Sequence, residues 1–79
     1  MKVEILTPEK KLYSGEADLV KVPGTKGSFE ILKKHAPLIS TLEKGQIRII
    51  DKNDQPVHFD ISCGVVEVHK NVVTILAML

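Results

Sequence analysis

Short apolar runs with a period of 2 recur along the chain, and no window of a dozen residues holds a 3.6-residue period. Successive side chains of a strand point to opposite faces, so this pattern predicts half-buried strands and an all-β fold. Val3 and Ile5, with Leu6, open a first strand, which Pro8 stops by removing a backbone donor. "ADLVKV" forms a second, alternating Val20 and Val22 imperfectly against Asp18 and Lys21, and it ends at Pro23-Gly24. "SFEIL" sets Phe29 and Ile31 on one face, Ser28 and Glu30 on the other. "APLISTL" follows a turn at His35, and "GQIRII" starts from Gly45.

Two hairpins are written more plainly. "PVHFDIS" turns Val57, Phe59 and Ile61 inward and His58, Asp60 and Ser62 outward, and the polar "DKNDQ", a loop of about five residues, joins it to "GQIRII". "VVEVH" and "VVTILAML" meet at Lys70-Asn71, where Asn tolerates the left-handed conformation of a tight hairpin. The inward parity changes across Cys63-Gly64, since 57, 59 and 61 point in and then 66 and 68 do, with Glu67 out. That implies a β-bulge at Gly64 or a strand that changes sheets there. About eight to ten short strands must close on themselves, because one open sheet would leave an apolar face wet. The expected architecture over residues 1–79 is one domain, an antiparallel β-sandwich or flattened barrel of two sheets.

Composition narrows the function more than it widens it. A chain of 79 residues buries only about 60 to 65 percent of its unfolded surface, so its own stability is modest and a partner would add to it. Eleven basic residues against ten acidic ones give net +1, with no long-range field to draw in nucleic acid or an anionic membrane. A single cysteine, Cys63, makes no intrachain disulfide and points to a reducing, intracellular setting. "MKVEILTPEKK" has the form of neither a signal nor a transit peptide, and no window reaches the roughly 18 consecutive apolar residues of a membrane span. The expectation is a soluble protein, free to dock on a membrane complex.

Candidate chemistry fades on inspection. "GTKG" lacks the spacing and the following helix of a phosphate loop, so its glycines read as turn residues. His35, His58, His69 and Cys63 lack zinc-ligand spacing; the histidines read as solvated, and Cys63 as a small buried filler. Asp51-Lys52 in "IIDKND" sits where a lipoyl or biotinyl carrier presents its modified lysine, the one alternative function, but the pseudo-repeat of such carriers is absent. Tyr13, Phe29 and Phe59 are too few to form the stacking platform of an oligonucleotide-binding barrel. No catalytic residue, cofactor or metal site is expected.

Four ordered motifs are more specific. "TPEKKLYSG", "PGTKGSFEILKKHAPL", "SCGVVEV" and "VTILA" follow T-P-x-x-x-x-[FY]-S-G, P-G-x-x-G-x-x-x-I-L-x-x-H-A-P-L, S-x-G-x-x-E-V and V-T-[IV]-L-A. In order and spacing the chain resembles the N-terminal β-sandwich domain of the epsilon subunit of bacterial rotary (F-type) ATP synthase. The resemblance implies a non-catalytic rotor element that packs on the gamma subunit and rests on the c-subunit ring, coupling proton flow to ATP synthesis. It places such a protein peripherally, on the cytoplasmic face of the bacterial inner membrane. By position it assigns Lys26, Gly27, Ser28, Phe29 and Glu30 to a loop facing the ring, and His35, Thr7 and Ser40 to the gamma contact.

The chain departs from the family in that middle motif. Ser28 stands where an acid is common, Glu30 replaces a glycine, and Lys33-Lys34 replace a Pro-Gly pair. Phe29 then becomes the preferred anchor on the ring, because buried aromatics dominate interface energies. The sequence closes on "ILAML", where the family continues into a two-helix domain. The resemblance therefore carries over neither that domain's inhibition of ATP hydrolysis nor its ATP binding, and no epsilon-dependent hydrolysis block is expected.

Overall fold

The β-branched and aliphatic runs become eight strands in the computed structural model, which describes residues 1–79. They are β1 (Lys2–Leu6), β2 (Lys11–Val22), β3 (Phe29–Leu32), β4 (Leu38–Leu42), β5 (Gly45–Asp51), β6 (Pro56–Ile61), β7 (Cys63–His69) and β8 (Val72–Met78). The long β2 serves two sheets. Its first half pairs with β1, and its second half pairs with β5 on one edge and β3 on the other. One sheet thus runs β4-β7-β8-β1-β2, and the other holds β3, β2, β5 and β6. Asp18 is the extra residue where the register with β5 shifts, and it takes Lys33 as an ion-pair partner at 3.0 Å.

On the far side the chain changes sheets at Ser62, between β6 and β7. This is the parity break expected near Gly64, placed two residues earlier. Ser62 fixes the corner by donating its N–H and its hydroxyl to the Met78 carbonyl, at 2.8 and 3.1 Å. Gly64 is required for a different reason, close packing: a Cβ there would lie 2.6 Å from the Leu76 carbonyl oxygen. At the same end, Thr25 N–H donates to Thr41 O and Glu43 N–H to Pro23 O, joining the end of β2 to the end of β4. The sheet therefore curls toward closure.

One pairing departs from the antiparallel expectation. β1 and β8 run parallel, Lys2 opposite Val72 through Leu6 opposite Leu76. A period of 2 is the same in both directions, so the pattern could not tell them apart. Between the sheets lies a cluster of sixteen buried residues, all apolar, in which Val3, Ile5, Val20, Val22, Ile47, Ile49 and Ile75 are fully inaccessible. No polar side chain is buried. Val57 and Phe59 are half-buried at its margin, Phe59 meeting Tyr13 edge-on with ring centroids 5.7 Å apart. Cys63 is not the buried filler expected of it. It is exposed, because the sheet change at Ser62 puts it on the outer face of β7.

The turns use the chemistry that their geometry demands. Lys70 and Asn71 both have positive φ, 49° and 64°, as a two-residue hairpin of the primed type requires. In the β5–β6 loop, Asp51 accepts from the N–H groups of Asn53 and Gln55 at 2.8 and 3.0 Å. Two substitutions test this account. Ile49→Ala should cost about 2–5 kcal/mol in urea unfolding, the range for opening a cavity in a close-packed core. Gly64→Ala should cost about 1–3 kcal/mol although it adds a single methyl, because backbone, not a movable side chain, faces it.

Candidate functional site

The outer face of the β4-β7-β8-β1 sheet is divided in two. Cross-strand pairing sets Thr41, Val65, Leu76 and Leu6 in one lateral row, Thr41 opposite Val65, Val65 opposite Leu76, and Leu76 beside Leu6. Cys63 and Met78 form the next short row. Leu76 is 55% exposed and Met78 50%, so this stripe is apolar and open to solvent. Thr7 and Pro8 flank it from the β1–β2 turn, making a shallow groove. The neighbouring row is polar, with Glu67 opposite Thr74 and Thr74 beside Glu4, and only Ile39 at its β4 end is apolar. Glu4 is held there by Lys11, whose Nζ lies 2.9 Å away; that contact lowers its pKa.

A contiguous apolar stripe with a charged border is the usual mark of a protein contact. No three His, Cys, Asp or Glu side chains converge to hold a metal.

The residues singled out from sequence fall into separate places. Lys26, Gly27 and Ser28 are exposed in the loop between β2 and β3, with Gly27 at φ 123°. Phe29 is not at that tip. Its ring is half-buried against the core, and it presses on Gly24, where a Cβ would lie 2.8 Å from the ring and 2.7 Å from the Gly27 carbonyl. Glu30 is exposed on β3, opposite Lys21. Ser40 lines the hollow between β4 and this same loop. Thr7 is partly buried and ties its own turn, its Oγ1 donating to Lys10 O at 3.0 Å and accepting from Lys10 N–H at 3.2 Å.

His35 lies at the opposite end of the molecule, in the turn before β4, its Nδ1 2.7 Å from Ala36 O. The three residues assigned together to one contact are thus not one cluster. What the sequence reading missed is the stripe itself, Leu6, Val65, Leu76 and Met78. Its only trace in the sequence is that "VVEVH" and "VVTILAML" carry apolar residues on both strand faces, which does not say which face is outward.

Residues 1–78 match the family described as ATP synthase, Delta/Epsilon chain, beta-sandwich domain. The chain belongs to this family. Curated relatives include ATP synthase epsilon chain 1 of Methylococcus capsulatus, 39% identical over 77 residues, which cover 98% of this chain and 55% of the relative. The ATP synthase epsilon chain of Caulobacter vibrioides is 41% identical over 73 residues, 92% of this chain and 84% of the relative. The chain spans about half the length of most of the epsilon chains it matches first, 55% and 51% in two of them.

Among solved structures, a chain of the Euglena gracilis mitochondrial ATP synthase OSCP/F1/c-ring superposes with a TM-score of 0.91 at 15% identity, covering 98% of this chain and 49% of that one. A chain of the Tetrahymena thermophila mitochondrial ATP synthase central stalk and c-ring gives 0.84 at 22%, covering 100% and 63%. At these identities the likeness is one of fold. Membership of the ATP synthase family also removes the carrier alternative, and Lys52 is an exposed residue of an Asp-capped loop.

Tyr13, packed against the core and Phe59, is a second group whose titration the fold shifts. Burial, and then the Asp51 charge, raise its pKa above the ordinary 10.0. A pKa raised by folding means that its contribution is intact below the unfolded value and is lost as pH climbs through the folded one. As the only tyrosine, it should show an absorbance titration at 295 nm with a midpoint above 10.0. Tyr13→Phe should lessen the loss of stability in alkali.

Proposed function

We propose that this domain is a non-catalytic rotor element of an F-type ATP synthase, seated on the gamma subunit and facing the c-subunit ring. In that role it couples proton flow to ATP synthesis from the cytoplasmic face of a bacterial inner membrane. The observation that carries the reading is the exposed row of Thr41, Val65, Leu76 and Leu6 on a domain of the ATP synthase delta/epsilon family. A stable contact buries on the order of 1,200 to 2,000 Å² in total, and an exposed apolar sheet face is the natural centre of one. The two structural neighbours come from mitochondrial ATP synthase assemblies, one a central stalk with its c-ring and the other an OSCP/F1/c-ring complex, which supports the same setting.

Gamma takes the stripe, with Thr7 at its border; His35 and Ser40 extend the contact toward the two ends. The ring takes the exposed Lys26, Gly27 and Ser28, with Glu30 beside them. Phe29 acts as a brace that holds this loop from inside, which replaces the role of ring anchor. No step of chemistry is assigned to the domain, since a torque-bearing part needs stiffness and fixed contacts, and a cross-braced sandwich supplies both.

Val65→Glu and Leu76→Glu test the gamma contact. Both side chains already face solvent, so thermal unfolding should stay nearly unchanged while co-purification with gamma falls at least about tenfold. Undiminished co-purification would reject the stripe as the contact. For the foot, a cysteine at Ser28 should cross-link to a loop of the ring in assembled enzyme; cross-links to gamma alone would show the foot assignment to be wrong.

A further inference from the structure

The strand path ends at β6, which has β5 on one side and no strand on the other. Asp51 N–H donates to Gln55 O at 3.1 Å, one step beyond the Ile50–Pro56 pair. Bonded and unbonded pairs alternate along an antiparallel ladder, so Ile49–Val57, Ile47–Phe59 and Gly45–Ile61 are the pairs that exchange bonds. The N–H and C=O groups of His58 and Asp60 therefore point to the open edge. The free stretch is bounded at both ends, since Pro56 has no N–H and Ser62 N–H is engaged by Met78 O at 2.8 Å.

The outer face carries an ordered charge pattern up to this edge. Lys21 lies opposite Arg48, and Arg48 opposite His58, a row of exposed basic side chains whose one carboxylate, Glu30, stands at the far end beyond Lys21. Lys21 and Arg48 have no ion-pair partner. In the next row Asp60 lies opposite the neutral Gln46, whose Nε2 donates to its Oδ1 at 3.3 Å. The edge thus ends one row in a base and the next in an acid.

We propose that β6 pairs with β6 of a second copy of this chain, antiparallel about a twofold axis through Phe59. A closed twofold contact is self-complementary, and the charges select its register. An axis at His58 or at Asp60 would set that residue against its own copy, like against like. An axis at Phe59 sets His58 opposite Asp60 twice, brings the outward N–H and C=O groups of both residues into one ladder, and carries the row Lys21, Arg48, His58 on to the carboxylate that it lacks. Registers centred farther along meet Pro56 or Ser62, which have no N–H to give. On the inner face the half-buried Phe59 then lies beside its copy. So short an edge makes a weak, reversible dimer. The contact does not rest on the stalk reading, and the apolar stripe lies on the other sheet.

Sedimentation and amide exchange of the full chain at concentrations up to about 1 mM test the pairing. As dimer forms, the amides of His58 and Asp60 should gain protection, whereas those of Val57 and Phe59 are bonded to β5 in the monomer and should change little. His58→Asp and Asp60→Lys each set like charges opposite one another twice, so each should weaken self-association at least about tenfold. Both side chains are exposed, and thermal unfolding should stay nearly unchanged. Mixed together, the two variants oppose acid to base at both pairs and should recover a heterodimer. A chain that stays monomeric throughout would overturn the proposal. So would a dimer that Leu76→Glu abolishes and these variants leave intact, or a pair of variants that fail to associate on mixing.

Discussion

Everything in this molecule depends on one constraint: two sheets must share an interior that contains no polar side chain. Valine and isoleucine dominate that interior because β-branched side chains stand off a pleated surface and interlock with those of the facing sheet. Since a single chain supplies both sheets, the strand that crosses between them, β2, carries the registry of the whole. Its bulge at Asp18, the corner at Ser62 and the bonds between the ends of β2 and β4 are the places where the interior is closed. A sandwich sealed in this way keeps its interior wholly apolar, and what it offers to other molecules lies on its outer faces, its edges and its turns.

The inner half of the fold was legible because buried strands alternate. "PVHFDIS" and the Lys70-Asn71 hairpin read directly, one through parity and the other through a residue suited to positive φ. The start of β2, "KLYSGE", gave little, since it is made of small and polar residues, and its strand conformation comes from pairing with β1. The parallel neighbour of β1 was invisible for the same reason: pairing direction leaves no mark on a single strand. Phe29 was legible as an alternating residue but not as a brace, because its contact with Gly24 depends on how the loop folds back.

The outer stripe was the harder part. "VVTILAML" is apolar at nearly every position, so its sequence does not reveal which residues face the interior and which face outward. Only the row that strands β4, β7, β8 and β1 build together distinguishes Leu76 from Ile75. The family resemblance supplied the setting, but it pointed to His35, Thr7 and Ser40, which occupy an end turn, a hydrogen-bonded turn and an edge hollow. A domain of this size buries a limited share of its surface, and binding to the native form adds to its stability by mass action. Exposing leucine is tolerable on those terms.

The parallel pairing of β1 with β8 also governs the order of assembly. β1 is an interior strand of its sheet, held by β2 on one side and by a strand that begins at Val72 on the other. During synthesis the β1–β2 ribbon therefore waits with one hydrogen-bonding edge open while most of the chain emerges. Contacts of such long sequence separation form late and slow the search for the native state. Until β8 arrives, that edge is open to mispairing with a neighbour.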